Sequence, residues 1–142
     1  MTHEMIAFTV HGTPIPQGSM HAFTPKGWKR PILTSDNRKT KPWRQEIAGS
    51  AQAAMRDVEM GTILRTSAVR VECQFYFARP LSLAKRVTQK MTKPDLDKLA
   101  RALLDALTGI CFEDDSQVTQ LWVNKHFDRQ PRAEIRVTRL SE

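Results

Sequence analysis

The chain has 142 residues, 40% of them hydrophobic and 26% charged, a composition that predicts a single globular domain over residues 1–142. No apolar run approaches the roughly 20 residues of a membrane helix, and the N-terminal segment lacks the basic and apolar regions of a secretory signal, so we expect a cytoplasmic protein without a membrane partner. The 22 Lys and Arg residues outnumber the 15 Asp and Glu residues, and the net charge of +7 favours a polyanionic partner such as nucleic acid.

The first half of the chain is predicted to contain one strand, a long connection and one helix. Residues 6–10 alternate apolar and polar side chains, which indicates a half-buried strand. Residues 12–41 are rich in Pro, Gly and basic residues and predict a basic loop with one short strand near Ile32 and Leu33. A helix then begins with Thr40 near its N-cap, because apolar residues recur at every fourth position, at Trp43, Ile47, Ala51 and Met55.

The second half is predicted to contain three strands and one helix. Alternating side chains indicate strands over residues 69–77, 118–127 and 134–140. Residues 80–94 predict a flexible basic loop, and a helix follows Pro94 and ends near Gly109. The order β-α-β-α-β-β predicts an α+β fold in which helices pack on a mixed sheet.

The two cysteines, Cys73 and Cys111, lie apart in segments with predicted structure and have no CxxC partner. We therefore expect buried free thiols. The four histidines show no metal-ligand spacing, which argues against a zinc site.

Acidic residues are concentrated at the second helix, where Asp95 and Asp97 flank Leu96 at the helix start. Asp97, Arg101 and Asp105 follow at a spacing of four, so they share one helix face. That face lies opposite an apolar stripe made of Leu96, Leu99, Leu103 and Leu107. The helix is therefore predicted to have one core face and one charged face.

A second acidic segment, residues 113–115, follows the helix and precedes a strand. If it folds beside the helix start, three or four carboxylates converge and raise one another's pKa unless a cation neutralises them. Magnesium, which prefers oxygen ligands and phosphate, is the cation this cluster predicts. Taken singly, the same carboxylates also fit structural roles: Asp95 as a helix cap, Asp97 as a first-turn charge and the acidic segment as an ordinary turn.

The run KPDLDKLARALLDALTG, the following FEDDSQV and the later Lys125 resemble the signature of the RusA family of Holliday junction endonucleases. The likeness is specific over about the C-terminal third of the chain and architectural elsewhere. It implies a RusA-like fold and a homodimeric, magnesium-dependent enzyme of phage or prophage type, acting in a bacterial or phage-infected cell without a small-molecule cofactor. Such enzymes cut four-way DNA junctions symmetrically in DNA recombination and repair.

The resemblance also implies roles for individual residues. Metal binding falls on Asp95, Asp97 and Asp115, with Asp114 adjacent to the last and Asp105 at another acidic position of the family.

This chain departs from the family pattern at two positions. Where the family commonly has a catalytic lysine one turn after Asp97, this chain has Arg101, and where it commonly has Asn the chain has Lys98. Arginine keeps the positive charge and can bind a phosphate through two hydrogen bonds, but it cannot act as a general acid. If proton donation is needed, Lys98 would have to supply it or the enzyme would be slow.

Basic residues outside the carboxylate cluster are predicted phosphate contacts, or else solvated surface charges. They are Lys85, Arg86, Lys90, Lys93 and Lys98 in the second half, and Lys26, Lys29, Arg30, Arg38 and Lys39 in the first. Trp28 could stack on an unpaired base or pack against the protein. Lys125 is expected outside the cluster, as a DNA contact or surface charge, because a straight strand places it roughly 33 Å from Asp115.

The sequence therefore favours a magnesium-dependent, structure-selective endodeoxyribonuclease that acts on branched DNA. A non-catalytic protein of the same fold that binds branched DNA is an alternative, since Arg101 replaces the family lysine. A magnesium-dependent phosphohydrolase is a third reading, but the chain has no glycine-rich phosphate-binding loop.

Overall fold

The structure, a computed structural model, describes residues 4–18, 20–35 and 38–141. In these residues one four-stranded mixed sheet packs against two helices, with a separate two-stranded hairpin. In chain order the elements are β1 (Met5–His11), β2 (Met20–Phe23), β3 (Ile32–Ser35), α1 (Thr40–Asp57), β4 (Ala68–Phe77), α2 (Leu96–Leu107), a 3-10 helix (Asp115–Gln117), β5 (Val118–Phe127) and β6 (Arg132–Leu140). The predicted α+β fold and its element order are confirmed.

The main sheet has the strand order β1-β6-β4-β5. β4 and β5 are parallel, whereas the other neighbouring pairs are antiparallel. A parallel pair needs a crossover, and α2 supplies it between β4 and β5. β5 is an edge strand of this sheet, with β4 as its neighbour.

The core lies between the sheet and the helices. Alternate residues of β4 are buried, including Val71 and Phe75, while the intervening residues face the other side. Each fully buried large apolar side chain contributes roughly 1.5–3 kcal/mol by leaving water. The predicted apolar faces of both helices are confirmed, with Leu96 only partly buried and the others buried: Trp43, Ile47, Ala51 and Met55 in α1, and Leu99, Leu103 and Leu107 in α2.

The predicted helix ends are close to the observed ones. α1 begins at Thr40, whose hydroxyl donates to the Pro16 carbonyl over 2.8 Å rather than capping the helix. α2 stops before Thr108, and Gly109 has φ +87°, a left-handed conformation that favours glycine. The charged face of α2 is confirmed, since Asp97, Arg101 and Asp105 are all exposed.

The prediction of one long loop over residues 12–41 is wrong in part. The short strand near Ile32 exists, but it pairs with β2, which lacks a clear apolar alternation and was not predicted. The last strand also begins at Arg132, two residues earlier than predicted, because it continues its pairing with β1 to His11.

Both cysteines are buried and free, as predicted. Burial raises the pKa of Cys73, and it raises the pKa of Cys111 to about 12, so both thiols stay protonated at neutral pH. Across the described residues, neither helix is long and apolar enough to cross a membrane.

Candidate active site

Asp95 and Asp97 lie at the start of α2, where the chain leaves the irregular segment after β4. Asp95 is the N-cap residue, with extended backbone angles, but its carboxylate makes no capping hydrogen bond. Both side chains are exposed, and neither has an ion pair or side-chain hydrogen bond within the described part of the chain. A capping role therefore does not account for Asp95, and both carboxylates are free to bind an external cation.

Two lysines hold the backbone before Asp95 by donating hydrogen bonds to its carbonyl groups. The Lys125 ammonium group, on β5, donates to the Thr92 carbonyl over 2.7 Å and to the Pro94 carbonyl over 2.8 Å. The Lys90 ammonium group donates to the Lys93 carbonyl over 2.8 Å and lies over the Phe77 ring. Burial, and secondarily the charge of Lys125, lower the pKa of Lys90. The aspartate pair thus stands on a segment fixed by charge-assisted hydrogen bonds.

The prediction that Lys125 lies outside the site is wrong. It is far from Asp115 along β5, as predicted, but it contacts the residue directly before Asp95. Lys125 belongs to the Asp95 end of the site, and it is Asp115 that lies elsewhere.

Replacement of Lys125 by methionine should loosen residues 92–97 while the sheet stays intact. The variant loses two charge-assisted hydrogen bonds, each worth roughly 1.5–3 kcal/mol, so amide exchange of these residues should quicken about tenfold or more. Hydrogen exchange measured against Lys85→Met, a change at an exposed lysine of the same loop, checks this. Equal protection in the two variants would show that Lys125 does not hold the segment.

Most acidic side chains of the turn before β5 stabilise the local backbone through hydrogen bonds. Asp114 caps the 3-10 helix: its carboxylate accepts from the Ser116 amide over 2.9 Å, while Gln117 accepts from the Asp114 amide. The Ser116 hydrogen bond is the main reason that the pKa of Asp114 is lowered. Glu113 accepts from the Arg65 amide over 2.7 Å. Asp114, predicted as a metal ligand, is therefore used as a cap, whereas Asp115 is exposed beside it.

Asp115 lies at the opposite end of the sheet from Asp95 and Asp97. The turn is fixed to the amino end of β4, because the Gln117 amide group donates to the carbonyls of Leu64 and Ser67 over 2.7 and 3.0 Å. From Val118 to Lys125 the strand rises about 23 Å. A crossover helix necessarily returns the chain from one end of a parallel pair to the other.

The condition for convergence of the carboxylates, an acidic turn beside the start of α2, is therefore not met within one chain. Among residues 4–18, 20–35 and 38–141, no group of three or more His, Cys, Asp or Glu side chains could hold a metal ion. A single chain supplies the Asp95 and Asp97 pair at one end of β5 and Asp115 at the other.

The predicted phosphate contacts divide into two groups. Some are exposed and available to a polyanion: Lys85, Arg86 and Lys93 in the loop after β4, and Lys26, Lys29 and Arg30 between β2 and β3. Others are already engaged, since Lys90 binds its own loop and Lys98 and Lys39 have other partners. Arg101 is exposed one turn after Asp97.

The structural role of Arg79 was not predicted from the sequence. Arg79 donates to the carbonyls of Val87 and Ala84 over 2.5 and 2.6 Å, so it closes the basic loop onto the end of β4. Nothing in the local sequence distinguishes this arginine from a surface charge, because both acceptors are backbone carbonyls.

Comparison with known proteins places these features in a family. The sequence profile described as "Endodeoxyribonuclease RusA" matches residues 12–138, which include both helices, the β2–β3 hairpin and both acidic segments. A Bacillus subtilis (strain 168) protein, "Uncharacterized protein YqaN", is 29% identical over 148 residues, covering 97% of this chain and 99% of that protein. With Asp95 and Asp97 presented at the start of α2 and most of its length matched by the profile, the chain belongs to the RusA family of endodeoxyribonucleases.

Proposed function

We propose that the protein is a magnesium-dependent endodeoxyribonuclease that resolves four-way DNA junctions by paired, symmetric cuts. The observation that carries the proposal is the exposed Asp95 and Asp97 pair, unpartnered in the described chain and held in place through Lys125. An exposed pair fits a large substrate better than a small anion, which enzymes usually enclose in a concave pocket. The net charge of +7 fits DNA as that substrate.

The donor set at this site suits magnesium. Mg²⁺ prefers carboxylate oxygens, typically takes one or two of them, and completes its coordination with water and substrate phosphate. When bound, it would lower the pKa of a coordinated water and offset charge on the phosphate. Asp95 and Asp97 would hold the ion, and the exposed guanidinium of Arg101 would bind a phosphate oxygen on the same helix face.

Asp115 would join this site from a second copy of the chain. Among the described strands, β5 is paired on one side only, and two of its large apolar residues are exposed: Leu121 to 40% and Trp122 to 52%. A long apolar edge strand is a template for pairing with another strand. Antiparallel pairing of two β5 strands about Leu121 and Trp122 would bring Asp115 of the partner subunit to the Lys125 end, beside Asp95.

Such a homodimer would carry two equivalent active sites related by a two-fold axis. Each site would take Asp95 and Asp97 from one subunit and Asp115 from the other. Two symmetric sites fit a reaction that needs two symmetric cuts. The exposed Lys85, Arg86 and Lys93 border the same end of the sheet and would bind the flanking phosphates.

A cleavage assay on two DNA substrates tests the proposal. An end-labelled four-way junction and a linear duplex of the same sequence are incubated with the protein in Mg²⁺ and in EDTA. We expect paired nicks in the junction alone, and none in EDTA. Junction binding without cutting in either Mg²⁺ or Mn²⁺ would favour the alternative hypothesis, a non-catalytic protein that binds branched DNA. Arg101 suggests this alternative because it replaces the family lysine. Equal cutting of the junction and the linear duplex would contradict the proposal that the protein resolves junctions.

A further inference from the structure

The β2–β3 hairpin is an arm that carries an exposed tryptophan at its tip. The two strands pair only with each other in the described sheets, with Met20 opposite Ser35 and Phe23 opposite Ile32. In the turn the Trp28 amide donates to the Pro25 carbonyl over 2.9 Å, and Gly27 has φ +86°, a conformation that favours glycine. The Trp28 side chain is 59% exposed, so packing does not explain it.

The tip has the composition of a nucleic-acid contact. Lys26, Lys29 and Arg30 around Trp28 are all exposed. No Asp or Glu occurs between Gly12 and Ser35, so no acidic residue of the arm offsets these charges. The Trp28 ring also has no aromatic or cationic partner among the described residues. Cations beside a free aromatic ring match a ligand that offers phosphates next to an exposed base.

The base of the arm is fastened beside the candidate active site. The Gln17 amide, just before the arm, donates to the Lys98 carbonyl over 2.9 Å, in the first turn of α2 next to Asp97. The Thr40 hydroxyl, just after the arm, donates to the Pro16 carbonyl. Each strand of the arm spans about 13 Å, so the tip can act on DNA that is bound at the aspartate pair.

We propose that this arm recognises the branch point of the DNA, with Trp28 stacking on a base that the crossover leaves unstacked. The three cations would bind the neighbouring phosphates. A continuous duplex offers no free base face, so Trp28 would add affinity for the junction alone. This inference rests on the proposed function and assigns junction selectivity to residues outside the aspartate pair.

Binding measurements in an uncut background test the arm. Dissociation constants for the four-way junction and the matched duplex are measured for Asp97→Asn, alone and combined with Trp28→Ala, Trp28→Phe or Lys29→Ala. We expect Trp28→Ala to weaken junction binding about tenfold and duplex binding less than twofold, and Trp28→Phe to keep most of the affinity. Lys29→Ala should weaken binding to both substrates alike. It should also lower the slope of the binding constant against salt concentration by about one released ion.

A base analogue locates the contact. With 2-aminopurine placed at the crossover, Asp97→Asn and its Trp28→Phe derivative should change the fluorescence, whereas the Trp28→Ala derivative should not. If Trp28→Ala weakens binding to the junction and the duplex equally, or weakens neither, the proposed role of the arm is contradicted while the proposed function stands. If Asp97→Asn itself shows no preference for the junction, the proposed function and the arm fail together.

Discussion

Two inactive variants, Asp97→Asn and Asp115→Asn, should recover DNA cutting when their subunits are assembled into mixed dimers. In the proposed dimer, each variant alone would damage both sites, because every site would take Asp97 from one subunit and Asp115 from the other. In a mixed dimer both changes fall in the same site, and the second site is intact. Random assembly of equal amounts makes about half of the dimers mixed, which restores roughly a quarter of the sites.

The recovered product distinguishes this arrangement from others. One intact site per mixed dimer should nick one strand of the junction without the matching second cut. If each chain held its own complete site, both sites of a mixed dimer would be damaged and no cutting would return. Co-expression of differently tagged subunits, followed by double purification, supplies the mixed dimers for the assay.

Asp105→Asn is the matched control for these variants. Asp105 lies on the same face of α2 as Asp97, but two turns along, and its carboxylate forms an ion pair with Arg44 at 3.6 Å. Loss of an exposed pair of this kind costs about 0–1 kcal/mol. Activity close to wild type is therefore expected, and a loss as severe as that of Asp97→Asn would mean that charge on this face, rather than metal binding, is what the assay detects.

Local periodicity was sufficient to predict most of the fold. Val69 to Phe77 alternate in and out because one side of β4 is covered, and the leucines of α2 recur because one helix face is covered. The β2–β3 hairpin could not be predicted in this way, because strands that pair only with each other need no alternating burial pattern. Its turn, which contains Pro25 and Gly27, carried the signal that could have located it.

The arrangement of the candidate site residues could not be predicted from the sequence. Asp95 and Asp115 are close in sequence, which suggested one cluster, yet the crossover through α2 carries the chain to the other end of the sheet between them. The same topology brings Lys125 back to Pro94. Distances along the chain could not show this, because they depend on which strands are parallel.

Removal of the positive charge at Arg101 should reduce the rate of cutting about a hundredfold with little effect on junction binding. Arg101 is exposed one turn from Asp97, where it can bind a phosphate oxygen as negative charge develops during hydrolysis. A guanidinium binds phosphate through its positive charge and two hydrogen bonds, so we expect Arg101 to act through charge rather than proton donation. Lys98 offers no ready substitute, because it is half-buried and already has a partner.

Three variants decide between charge and proton transfer at this position. Arg101→Gln removes the charge, Arg101→Lys keeps it with the residue common in the family, and Arg56→Gln, at the exposed end of α1, is the control for lost arginine charge. If charge is what matters, single-turnover rates should fall about a hundredfold for Arg101→Gln and stay within about threefold for the other two. A tenfold faster Arg101→Lys would instead mean that the lysine donates a proton and that arginine at this position makes the natural enzyme slow.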